Sequence, residues 1–81
     1  MAFPKEYVNY GVLKLNKFAG YNSVSVYKGL YDYTSLDGFD GSSGGAHSAA
    51  DARWSGDAIL VTMEDGTIRR YSDWNTFDTI R

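Results

Sequence analysis

The stretch DAILVTMEDGTIRRYSDW, residues 57–74, holds two β-rich runs joined at Asp65-Gly66. Asp-Gly between such runs is a strong hairpin signal, because a type I′ turn needs positive φ at both central residues. A two-residue loop then sets the register: Glu64 faces Thr67, Met63 faces Ile68, Val61 faces Arg70 and Leu60 faces Tyr71. On that register Ile59, Val61, Met63 and Ile68 form the core face. This hairpin decides for a β fold.

Residues 23–33, SVSVYKGLYDY, alternate with a period of two and read as a further strand. Val24, Val26 and Leu30 share one face with Lys28. Tyr27, Tyr31 and Tyr33 share the other with Ser23, Ser25 and Gly29. The aliphatic face turns to the core. The tyrosine face is either covered by a second layer or free for a partner. Tyr7, Tyr10 and Tyr21 extend it. Residues 7–17, YVNYGVLKLNK, read as a strand broken or bulged near Gly11, and FAGYN at 18–22 as a turn in which Gly20 supplies positive φ. In the tail, Trp74, Phe77 and Ile80 recur every three residues, which predicts a short helix or 3₁₀ turn capped by Ser72 or Asp73 that plugs the open end of the sheet.

Between the strands lies GFDGSSGGAHSAADARW, residues 38–54. From 34 to 52 no strand pattern shows, and connections longer than about 12–15 residues are unusual in compact domains. Ser48-Ala49-Ala50-Asp51 fits a capping box, so the stretch reads as a Gly-rich loop running into one helical turn ended by Gly56. GSSGGAHS at 41–48 has the length of a Walker A loop, but Ala46 and His47 replace its final glycine and its lysine, and no strand–helix unit surrounds it. LDGFDGSSGGAH lacks the alternating ligands and closing Glu of an EF-hand loop. A Gly-rich loop can still hold an anion on backbone N–H groups. Such a site would use Gly44, Gly45 and Ser48, with Arg53, Arg69 and Arg70 supplying charge. The competing readings are a passive surface connection and a loop that orders on a partner.

Other chemistry is sparse. His47 is the one histidine and has no evident partner in the sequence, so a catalytic role is not expected. One histidine and no cysteine argue against a transition-metal site and exclude disulfides and thiol nucleophiles. No cofactor motif stands in the chain. Arg69-Arg70 puts two charges on opposite strand faces, one solvated and the other expected to pair with Glu64, Asp57 or Asp73. A net charge of −2 with scattered basic residues argues against nucleic-acid or membrane surfaces. The N-terminal MAFPKEYVNYG has no apolar core of a signal peptide, and a cytoplasmic setting is expected.

At 81 residues the chain forms one domain with a thin core. The expected fold is mostly β, a small α+β domain. It has a four- to five-stranded antiparallel sheet or partly open small barrel, a short C-terminal helix and one long Gly/Ser-rich loop. The aromatic share is 16%, with seven Tyr. Tyr is favoured at interfaces because it buries large area at low entropy cost. The leading functional expectation is a non-catalytic binding protein, an adaptor or inhibitor of the kind common among phage and bacterial accessory proteins. It would dock a protein partner or a second copy of itself, as a homodimer, through Tyr27, Tyr31 and Tyr33. The alternative is a binder of a small anionic ligand, such as a nucleotide, through the Gly/Ser loop.

Overall fold

The computed structural model describes residues 3–18, 20–41 and 47–81, with Phe18 by its backbone alone. The chain is mostly β, as expected, but its strands form two antiparallel sheets rather than one. The first is a meander of β1 (Val12–Phe18), β2 (Tyr21–Tyr27) and β3 (Tyr33–Ser35). The second is a meander of β4 (Ala49–Ser55), β5 (Ala58–Met63), β6 (Ile68–Asp73) and β7 (Thr76–Thr79). A short helix, α1 (Lys5–Tyr10), precedes them.

One core lies between the sheets. Val24 and Val26 of β2 meet Ile59, Val61, Met63 and Tyr71 of the second sheet, together with Phe3, Tyr7, Leu36 and Ala49. The seam near β1, β2 and β4 is sewn by polar groups. The Asn22 backbone N–H donates to Ser48 Oγ (2.9 Å), the Asn22 side-chain amide donates to the Ala49 carbonyl (3.1 Å), and Trp54 Nε1 donates to the Gly11 carbonyl (3.1 Å).

The hairpin at Asp65-Gly66 forms, with a loop one residue longer than expected. Gly66 N–H donates to the Met63 carbonyl (3.0 Å) and Met63 N–H to the Thr67 carbonyl (2.8 Å). Glu64-Asp65-Gly66 is therefore a three-residue loop with Gly66 at φ 93°, a turn followed by a glycine bulge. The added residue shifts the register by one: Val61 pairs with Arg69, Leu60 with Arg70 and Ile59 with Tyr71. A one-residue slip exchanges the faces of a strand. Ile59, Val61 and Met63 remain in the core, but Ile68 leaves it, and Arg69 and Tyr71 enter.

Four other expectations are corrected. The C-terminal helix is absent: Thr76–Thr79 is a strand that pairs with β6. Asp73 accepts the Trp74 N–H (2.8 Å), as a cap would, but it does so in the turn between β6 and β7. The plug comes from the other end of the chain. Pro4 starts α1, and Phe3 and Tyr7, four residues apart, set their rings edge-on against Trp74 at 4.8 and 5.0 Å. Residues 7–10, read as strand, belong to this helix, which stops at Gly11. A Cβ at Gly11 would overlap the Tyr7 carbonyl oxygen and the Val26 side chain, so only glycine lets the helix end lie this close to β2.

The helical turn expected at 48–52 is the start of β4, and Gly56, at φ 63°, sits in the tight β4–β5 hairpin. The long alternating run ends at Tyr27. Residues 28–32 form a closed loop, in which Lys28 N–H donates to the Asp32 carbonyl (2.9 Å) and the two side chains pair at 3.6 Å. Leu30 therefore stands at a loop tip, 81% exposed, instead of in the core. No helix among the described residues is long and apolar enough to cross a membrane.

Candidate functional site

Alternation in VLKLN turns Leu13 and Leu15 toward the core and Lys14 and Asn16 outward. The register places Lys14 opposite Ser25 and Val12 opposite Tyr27, and β3 adds Tyr33 opposite Tyr27 and Ser35 opposite Ser25. The outer face of the first sheet thus carries lysine, amide, hydroxyls and two phenol rings in adjacent rows.

These groups are held in place by one another. Tyr27 and Tyr33 stack with centroids 4.9 Å apart and planes 23° apart. Such a pair is favoured beyond the area it buries. Lys14 Nζ lies 5.5 Å from the Tyr27 ring centre, a cation–π contact. Asn16 Nδ2 donates to Ser25 Oγ, and Ser25 Oγ meets Ser35 Oγ at 2.7 Å. Ser25 is fully buried beneath this layer, so the floor of the face is polar, ordered and satisfied. Over it lies a groove of about 510 Å³ lined by Lys14, Leu15, Asn16, Lys17, Tyr27, Tyr33 and Ser35.

The 28–32 loop stands beside the groove. Tyr31 at its tip is 89% exposed and Tyr33 is 53% exposed. The Lys28 ammonium is held above its ordinary pKa, first by its hydrogen bond to Glu6 (3.2 Å) and then by Asp32. That cation fastens the loop to α1. Of the three tyrosines expected to form an interface, the structure brings Tyr27 and Tyr33 into contact and leaves Tyr31 projecting from the loop.

The residues expected to hold an anion are dispersed. Gly44 and Gly45 lie outside the described residues. Ser48 is buried and its hydroxyl accepts the Asn22 N–H. Arg53 and Arg70 lie in one cross-strand row, each paired with Leu60, on the outer face of the second sheet. Arg69 points the opposite way, into the core, at 6% exposure. Its Nη1 donates to the Gly38 carbonyl (2.7 Å) and to Tyr71 Oη (3.1 Å), and its guanidinium lies 4.3 Å from the Phe77 ring centre. Tyr71 Oη donates to the Asp37 carbonyl (2.7 Å), and burial raises its pKa. Arg69 and Tyr71 therefore tie residues 37–38 to β6, a structural task.

His47, read as having no partner, meets Asp40 Oδ1 through Nδ1 at 2.9 Å, while the Asp40 N–H donates to the His47 carbonyl (2.9 Å). This pair links residues 40 and 47 through both side chain and main chain. Among the described residues no group of three His, Cys, Asp or Glu is placed to hold a metal ion.

Sequence reasoning missed Lys14 and Asn16 as members of the face, and Lys17 as part of the groove's lining. The signal was the alternation of Lys14 and Asn16 with Leu13 and Leu15. No protein-family model, curated protein or solved structure matches the chain.

Proposed function

We propose that this protein is a non-catalytic binding module that docks a protein partner on the outer face of its first sheet. The observation that carries the reading is the stacked Tyr27–Tyr33 pair, flanked by Lys14 and open to a groove of about 510 Å³. Rigid aromatic rings are among the residue types that dominate protein interfaces. Tyr31 and Leu30 extend the apolar reach of the face beyond the groove. A second copy of the chain is one such partner, and a mass that rises with concentration in sedimentation equilibrium would identify it.

The test is affinity capture from cell lysate, read by quantitative mass spectrometry. A specific partner is expected on the parent protein. It is lost from a Tyr27→Ser/Tyr31→Ser variant whose melting temperature shows that it folds. A parallel thermal-shift screen with inorganic phosphate and nucleotides is expected to show no shift. A saturable shift with a nucleotide, or capture indifferent to both tyrosines, would overturn the reading.

A further inference from the structure

Leu36 N–H donates to the Val24 carbonyl and Lys28 N–H to the Asp32 carbonyl, each at 2.9 Å. Antiparallel pairs alternate between hydrogen-bonded and non-hydrogen-bonded. Pairs 24/36, 26/34 and 28/32 are therefore the bonded ones, and pairs 25/35 and 27/33 are not. The N–H and C=O groups of Tyr33 and Ser35 thus point away from β2, off the edge of the sheet. No strand lies beyond β3, and among the described residues no main-chain bond engages those groups. The ring stack points the same way. Its centroid separation of 4.9 Å matches the spacing of neighbouring strands, about 4.7–4.9 Å. The stack therefore runs across the sheet, and beyond Tyr33 no further ring among the described residues continues it.

Open sheet edges are usually guarded by charge, proline or a bulge. Tyr33-Thr34-Ser35 carries none of these. An uncharged edge offers nothing to a charged strand, but it meets a copy of itself without repulsion. The net charge of −2 opposes that meeting only weakly in salt. The register is self-complementary as well. A two-fold axis beside Thr34 sets Tyr33 opposite Ser35 of the second copy. Each Tyr33 N–H then meets a Ser35 carbonyl and each Ser35 N–H a Tyr33 carbonyl, so every outward group of the edge is paired. Ser35 is small, which leaves room for the facing Tyr33 ring above it. The same axis brings Leu30 and Tyr31, 81% and 89% exposed, beside residues 36–38 of the second copy. We propose that a second copy of this chain adds to β3, antiparallel about Thr34, and joins two three-stranded sheets into one continuous sheet. This rests on the docking face proposed above and names its partner.

The experiment uses the full chain. A short edge makes a small interface and a weak dimer, so sedimentation equilibrium runs from about 10 μM to about 1 mM. Monomer should pass to dimer over that range, with no larger species. Amide hydrogen exchange by NMR should slow at Tyr33 and Ser35 as concentration rises. Non-hydrogen-bonded pairs bring Cα atoms to about 4.5 Å, within reach of a disulfide. The chain has no cysteine, so Thr34→Cys should cross-link to its own copy under mild oxidation. Ser72→Cys, exposed on the second sheet, should cross-link far more slowly. Ser35→Pro removes half of the pairing bonds and should raise the dimer dissociation constant about tenfold. Its melting temperature shows whether it folds, and the parent's exchange and the Thr34→Cys cross-link test the proposal independently of it. A monomer at every concentration, protection that omits Tyr33 and Ser35, or equal cross-linking of the two cysteine variants overturns the proposal. If the chain stays monomeric while capture from lysate needs Tyr27 and Tyr31, the docking face stands and the self-pairing falls.

Discussion

Gly38 shows how much one position can carry. Its φ is 99°, and a Cβ there would stand 3.0 Å from Arg69 Nη1 and 3.1 Å from both Phe77 Cε1 and Tyr71 Oη. Gly20 has nearly the same φ, 98°, but open space around it. Gly20→Ala bears the backbone strain alone, about 1–2 kcal/mol. Gly38→Ala adds displacement of a buried hydrogen-bond network, and the total should reach about 3 kcal/mol or more. Urea denaturation of the two variants measures the difference. Asp65 carries a pH effect at the same scale. Thr67 donates to its Oδ1 from the backbone N–H (3.0 Å) and from Oγ1 (2.8 Å), which holds the carboxyl below its ordinary 3.8. A carboxylate with a depressed folded-state pKa adds stability above its unfolded pKa and loses it as pH falls through the folded value. Asp65→Asn keeps the acceptor but cannot titrate. Between pH 3.8 and the lower folded-state value, the variant should therefore lose less stability than the parent.

Among the elements, the β5–β6 hairpin shows what local sequence specifies. Asp65-Gly66 marks a turn in any reading, and Gly66 at φ 93° uses the freedom that glycine has. Gly66→Val should destabilise by about 1–2 kcal/mol, read from the shift in denaturation midpoint. Loop length was not legible. Turn residues fit both a two-residue loop and a three-residue loop with a bulge, and the choice depends on which face of β6 the core accepts. The core accepts Arg69 because Gly38, Tyr71 and Phe77 satisfy its guanidinium. Those partners are distant in sequence, so the hydrophobic pattern alone favoured Ile68. In the tail the spacing of three was a coincidence of turn and strand: Trp74 follows the strand end, Phe77 points inward and Ile80 is exposed. The helical signal lay instead in the spacing of Phe3 and Tyr7, on either side of Pro4. Tyr27 and Tyr33 were legible as one face. They share it across a strand pair rather than along one strand, and the 28–32 loop between them reverses the chain.

For the molecule as a whole, the two sheets divide the work. The inner faces of both make the core, with Val24 and Val26 against Ile59, Val61 and Tyr71. The outer face of the second sheet carries Arg53, Arg70 and Asp78 in one row around Leu60. The outer face of the first carries the stacked tyrosines and Lys14. On the proposed function, the first sheet and not the second meets the partner. Hydrogen–deuterium exchange of the full chain, alone and with its captured partner, tests this most directly. Protection is predicted in Val12–Phe18 and Tyr33–Ser35 and in the 28–32 loop, with β4 and β7 unchanged. Protection centred on β4 and β7, with the first sheet unaffected, would contradict the account.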